Sequence, residues 1–287
     1  MRMPSLFLVA LAALPAAAQD AVDIRINRAA GQRWTVQARA HMDLDLKIKD
    51  LEENVTDLNL KSTLTESFSE EITEAGPGGA FRSKVACVDS RLDQIEGTKP
   101  MQTTAGPLRN RTFALSRDAG AYAVAPESGS IEPADAARLG RWHEVDALLP
   151  GKPVKPGDSW DAPPAFVTLL FKDMPVGDAQ GEVKVTFKEI VPGPNGSRHG
   201  VLSLAAHVRA ENKSGQPGKE MSVRTLSAEL TGSLAVDLDA ARPVACSLAG
   251  TVAIQGDVRD DRETLIGTVE GASQKLTFDV AFEPGTP

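Results

Sequence analysis

The chain has 287 residues, with 31 Lys and Arg against 39 Asp and Glu, for a net charge of −8. That balance, with no basic cluster, excludes a nucleic-acid binder, which needs Lys and Arg gathered on one face to neutralise phosphates. It also argues against docking on anionic lipid headgroups.

The first residues, MRMPSLFLVALAALPAAAQD, carry Arg2, a short apolar run from Leu6 to Leu14, and then Ala16-Ala17-Ala18. This pattern predicts a secretory signal peptide over 1–18, cleaved after Ala18. The apolar run is too short to span a bilayer as a mature helix, and no later run is long enough. No Cys sits at the cleavage point. The expectation is an exported protein, periplasmic or extracellular, soluble after cleavage and not integral to a membrane.

Residues 34–49, WTVQARAHMDLDLKIK, alternate without a break: Trp34, Val36, Ala38, Ala40, Met42, Leu44, Leu46 and Ile48 are apolar and the residues between them polar. At about 3.3 Å per residue this predicts a strand roughly 50 Å long, far beyond the usual five or six residues. After DLEENVTD the alternation resumes at Leu58, Leu60, Leu64, Phe68 and Ile72, so a long antiparallel hairpin with one apolar face is expected. GPGG at 76–79 makes the next turn, and Phe81, Val85 and Cys87 begin a third strand. Shorter strands are expected at 111–117 and 121–125.

From Pro133 to Leu149 the period changes. Leu139, Trp142, Val145 and Leu149 are spaced as on one helix face, Pro133 suits a first turn, and Asp135 sits near the positive helix end. PGKPVKPGDSW, 150–160, then reads as a connection without regular structure. The second half returns to alternation at Val183, Val185 and Phe187, and again at Leu202, Leu204, Ala206 and Val208. Met221 and Val223 are odd, whereas Leu226, Ala228 and Leu230 are even, which predicts a β-bulge near Arg224 and Thr225. After the turn DAARP, 239–243, Val244, Cys246, Leu248, Val252 and Ile254 run back, and a last strand carries Leu276, Phe278, Val280 and Phe282.

The expected fold is therefore mainly β: long, curved antiparallel sheets, as a half-barrel or a two-lobed sandwich, with one helical insertion near the middle. Long strands coil, so a sheet built from them curls. The segments are a first β-rich half at 19–132, the helix and Pro/Gly-rich connection at 133–163, and a second β-rich half at 164–287, compatible with one continuous domain. The shared element order of the halves raises pseudo-duplication as a hypothesis.

A one-face-apolar sheet around a helical insertion resembles the lipoprotein-carrier half-barrels called LolA-like and LolB-like. GSLAVDLDAARPVACSLAG, 232–250, looks like a hairpin common in exported bacterial β proteins, and PVKPGDSW, 153–160, looks like a midpoint segment of uncharacterised exported families of this type. The likeness is architectural, covers about half the chain and carries no functional residue across. It implies a fold that carries a lipid or other hydrophobic ligand outside the cytoplasm.

Chemistry is sparse. There is no GxSxG, no GK[ST], no GxGxxG and no CxxC, and the four histidines, His41, His143, His199 and His207, fall in no metal spacing. His143 and Asp146 are helix neighbours, readable as half of an acid–base site or as a solvated face. DVRDDRE, 257–263, reads as a solvated turn or a calcium loop of irregular spacing. Cys87 and Cys246 each share parity with apolar neighbours. In an oxidising compartment they are expected to form a Cys87–Cys246 disulfide, the alternative being two small buried hydrophobes. Glu66 and Glu70 interrupt the apolar parity of the hairpin: they mark the rim of a water-accessible cavity, or the register shifts after Leu64, or the strand end runs past the core.

The reading is a non-enzyme without cofactor that binds a lipid-like or hydrophobic small molecule, with Met42, Leu44, Leu60, Glu66 and Phe68 as the ligand-binding candidates. The alternative is a non-catalytic structural or interaction module of the cell envelope. A membrane β-barrel is disfavoured by the lone Tyr122, the missing aromatic girdles and the Pro-rich middle. Ligand identity and oligomeric state stay open.

Overall fold

The computed structural model describes residues 20–118, 121–164, 166–167, 171, 179–211, 221–259 and 264–285. The expected signal peptide lies outside them. Six strands come first: β1 (Arg33–Asp50), β2 (Val55–Ala75), β3 (Phe81–Glu96), β4 (Gln102–Ala105), β5 (Arg111–Asp118) and β6 (Ala121–Pro126). A helix α1 (Pro133–Gly140) runs into a 3₁₀ segment, Arg141–Leu148. Then follow β7 (Ser159–Ala162), β8 (Ala179–Pro192), β9 (Arg198–Glu211), β10 (Met221–Asp237), β11 (Arg242–Arg259) and β12 (Leu265–Pro284).

All twelve strands form one antiparallel sheet, in the order β6-β5-β3-β2-β1-β12-β11-β10-β9-β8-β7, with β4 added to β3. Among the described residues there is no second sheet. Followed from β7, the strands keep chain order to β12 and continue at once with β1 through to β6. The sheet is thus one meander whose start and end meet at a β1–β12 seam, in register from Trp34 opposite Pro284 to Asp50 opposite Gly267. The two outer edges, β6 and β7, are joined by the strap of α1, the 3₁₀ segment and the Pro-rich connection.

Each strand buries alternate residues on one face, and these form a single core cluster. Ten inter-strand steps of about 4.8 Å would make a flat sheet roughly 48 Å wide, whereas the eight residues of α1 cover about 12 Å. The helix alone cannot hide so wide a face: the 3₁₀ segment and the buried Phe166, Val167 and Phe171 add cover, and long strands coil, which curls the sheet over the rest. Two glycines in the β10–β11 hairpin permit the tight approach this needs. A Cβ at Gly232 would run into the backbone carbonyl oxygen of Ser247, and one at Gly250 into that of Glu229. The register slips between Val223 and Thr225, at the expected bulge. A second slip, at Asp43/Leu44, accompanies a change of inward parity in β12 after Ser273.

Three expectations need correction. The strap is α-helical only to Gly140 and 3₁₀ beyond. Its buried side chains, Leu139, Trp142, Val145 and Leu148, recur at every third residue, which is the 3₁₀ period. The Pro-rich connection does hold a strand, β7, between Pro156 and Pro163; an edge strand bonds on one side only, so it tolerates flanking prolines. The disulfide is absent: Cys87 and Cys246 are both free and buried. Their strands, β3 and β11, are separated by β2, β1 and β12. Four steps, about 19 Å along the sheet, exceed the Cα separation a disulfide spans. Burial pushes both thiols up to about 12, so they are inert small hydrophobes. Among the described residues no helix is long and apolar enough to cross a membrane.

Gly232→Ala and Gly250→Ala should each cost roughly 3 kcal/mol in urea unfolding; variants as stable as wild type would show that the curl does not need these positions. A thiol reagent should leave the native protein untouched and modify two thiols per chain in denaturant without reductant.

Candidate functional site

The strap is fastened to the sheet by a buried polar network. Glu66 and Glu70 point inward from β2 and are 2% and 3% exposed. Arg138, on α1, pairs with Glu66 and, 3.0 Å away, with Asp135. The Ser90 hydroxyl donates to Glu66 at 3.4 Å. One turn on, Trp142 packs on Phe68 with ring centroids 5.0 Å apart. His143 follows, its Nε2 3.1 Å from Glu70 Oε1 at an angle that forms no hydrogen bond. Its ring lies 4.7 Å from that of Phe81 and stacks on Tyr122.

Arg28 enters from the segment before β1. Its Nη2 lies 3.1 Å from His143 Nδ1 and donates to Asp146 Oδ1 at 3.1 Å. A guanidinium only donates, so in this contact His143 Nδ1 is the acceptor. Arg117, on β5, reaches the other Asp146 oxygen at 3.2 Å. Burial alone would push the Glu70 carboxyl up. The His143 imidazole, the Ser83 hydroxyl and the Arg28 guanidinium outweigh it and hold the carboxyl below its ordinary value. Burial raises Tyr122, helped by the charge of Glu144, and raises Glu144 itself.

His143 faces a carboxylate and a guanidinium, and among the described residues no hydroxyl or thiol is hydrogen-bonded to either ring nitrogen. The network has no nucleophile–base pair. Among the described residues no group of three His, Cys, Asp or Glu side chains is placed to hold a metal ion. What the arrangement can do is fix the strap's position along β2.

Arg138 meets β2 at Glu66. Beyond it, on the same inward face, Leu64, Ser62 and Leu60 of β2, Ala40 and Met42 of β1, Leu92 of β3 and Leu276 of β12 are only half-buried. They are contiguous: Leu64 pairs with Ala40 and Leu92, and Met42 with Ser62 and Leu276. The corresponding face of the second half is sealed. Phe187, Leu202, Val208 and Leu234 are fully buried, and Phe166, in edge contact with Phe278 at 5.9 Å, lies in its cover. The first half therefore has an apolar window walled at one end by the Glu66–Arg138 pair.

Of the ligand-binding candidates, Met42 and Leu60 lie in the window and Glu66 forms its wall. Leu44 and Phe68, 4% and 1% exposed, are packed in the core. Glu66 and Glu70 are on the apolar face because β2 keeps its parity; no register shift follows Leu64 until Phe68. His143 and Asp146 do not form a solvated face: both turn inward and share Arg28. Of the acidic stretch 257–263, residues 257–259 are described. Asp257 there is buried and paired with Arg224 at 2.6 Å and Arg259 at 3.6 Å. Sequence reasoning missed Arg28, Arg117 and Arg138. Arg138 was legible as a cation next to the inward Leu139; Arg28 precedes the first strand, where no periodicity marks a face.

Comparison with known proteins adds no relative: no family model and no curated protein matches the chain.

The sign of the Glu70 effect fixes a pH test. Its folded-state pKa is lowered, so its contribution is complete above the unfolded carboxylate value and fades as pH falls through the folded one. Glu70→Gln should cost roughly 3 kcal/mol at pH 7, and the gap to wild type should close in acid, below about pH 4. A gap that stays constant from pH 7 to pH 3 would show that the carboxylate charge is not what holds the strap.

Proposed function

We propose that this chain is an exported carrier or binder of a hydrophobic, lipid-like molecule, seated in the apolar window of the first half. The observation that carries the reading is the contrast between the two halves of one inner face. The second is filled by its own side chains except at Leu276 beside the seam; the first leaves Ala40, Met42, Leu60, Leu64 and Leu92 half-buried, facing inward. An apolar surface with a few convergent polar groups is the usual make-up of a small-molecule site. Here the polar groups are Ser62 beside Met42 and the Glu66–Arg138 pair at the wall. They suit an amphipathic ligand whose polar end turns to the strap and whose apolar part lies along β1 and β2. The Arg2, Leu6–Leu14 and Ala16–Ala18 pattern supports export.

Native mass spectrometry of the protein purified gently from its own exported pool tests this. A mass excess that organic extraction removes is expected, and Leu64→Glu, which puts a charge in the window, should abolish it while the far-UV spectrum is kept. A bare mass that stays unchanged after incubation with a lipid extract would overturn the reading.

A further inference from the structure

The outer face of the sheet carries a feature that ligand carriage does not use. A groove of about 1070 Å³ crosses β2, β1, β12, β11, β10 and β9. It lies outside because its walls are two neighbouring rows of outward, mostly exposed residues, and the row between them, which includes Leu46, Leu226 and Ile254, turns into the core. Each row is continuous in register. One passes from Asp45 through Ala272, Ala253 and Ser227 to Arg209, the other from Asp57 through Lys47, Glu270, Gln255 and Thr225 to Glu211.

Two properties narrow the occupant. The first is shape. Across the middle of the groove one wall is built of Ala272, Ala253 and Ser227, so a main chain can approach closely, and Gln255, Thr225 and Ser227 offer side-chain hydrogen bonds to it. Five inter-strand steps of about 4.8 Å give roughly 24 Å, the length of about seven residues in extended conformation at about 3.3 Å each. The second is charge. Asp45, Asp57, Glu211 and Glu270 line the groove against Lys47 and Arg209. Among the described residues Asp45 accepts only from the Asn59 amide, at 2.8 Å, and Arg209 donates to His207 at 2.6 Å. Asp57 and Glu270 make no ion pair among the described residues. Phosphate-bearing ligands and anionic lipid surfaces are repelled here, and cations are drawn in.

We propose that this groove docks an extended segment of a partner protein that carries Lys or Arg at alternate positions. Cationic side chains meet Asp45, Asp57 and Glu270, and the backbone lies along the alanine wall. The site is on the opposite face of the sheet from the apolar window, so it stands or falls independently of ligand carriage.

Fluorescence anisotropy of the purified full chain tests the proposal with two labelled seven-residue probes, one alternating alanine and lysine, the other alanine and glutamate. The lysine probe should bind at low salt and the glutamate probe should not. Glu270→Lys should weaken the lysine probe at least tenfold. Ala253→Trp changes no charge, fills the groove from an exposed position and should weaken it to a similar degree; unchanged melting temperatures confirm that both variants fold. A lysine probe bound equally by wild type and Ala253→Trp would reduce the effect to non-specific attraction and overturn the proposal. So would equal binding of both probes, or no binding of the lysine probe at millimolar concentration.

Discussion

The structure depends on covering one apolar face. A twelve-strand meander exposes such a face along its whole width, and α1 with its 3₁₀ continuation is too short to hide it. Curling the sheet lets strands on one side cover strands on the other, and two devices in the backbone make the curl. The glycines at 232 and 250 let β10 and β11 approach where a side chain would strike a carbonyl, and the bulges at Asp43/Leu44 and Val223/Thr225 turn the strands without reversing the face they bury. The strap then joins the two edges that hydrogen bonds leave open. An up-and-down barrel closes by pairing its last strand with its first. Here that seam, β1 with β12, lies in the middle of the sheet, and the break falls elsewhere.

The strap's fastening explains why a core otherwise so apolar tolerates buried charge. Packing of Trp142 on Phe68 supplies attraction, but apolar contact is non-directional and would allow the strap to slide along β2. Charge pairs are directional and costly to leave unmade. Glu66 and Glu70 are two pleats apart on β2, and Arg138 and His143 are five residues apart on the strap, so only one placement satisfies both. Arg28 ties in the segment before β1 and Arg117 the far strand β5, through one carboxylate, Asp146. Four separate parts of the chain thus meet at the point where the strap must not move. On this view the network contributes position more than stability.

The sheet was largely legible in the sequence because its strands are long and alternate. Trp34 to Ile48 repeats the same parity eight times, and no helix matches that pattern. The bulge at 224–225 was legible for the same reason, since a parity change within a run has no other simple cause. β12 was read short because three of its first four inward positions, Gly267, Gly271 and Ser273, give almost no hydropathy signal and leave Val269 isolated. β4 was missed because four exposed residues carry no alternation. The disulfide expectation failed because parity places a cysteine on a face but says nothing of which strands separate two such residues. In the candidate site, Glu66 and Glu70 stood out as carboxylates on an apolar stripe, whereas their partners come from elements with no period of their own.

The network's position also sets where a ligand could bind. Trp142 and His143 reach Phe68 and Glu70 and Arg138 reaches Glu66, whereas the part of α1 before Arg138 packs towards β6, so the strap is led away from Leu64 and Leu60. The edge-joining role therefore fixes the strap's length, and that length leaves β2 bare from Leu64 outward. No equivalent limit acts on the second half, where the chain between β7 and β8 supplies Phe166, Val167 and Phe171 as cover. The asymmetry between a sealed half and an open half thus follows from connectivity: closing the edges with a covalent strap in place of a strand ladder leaves one stretch of the inner face unfilled.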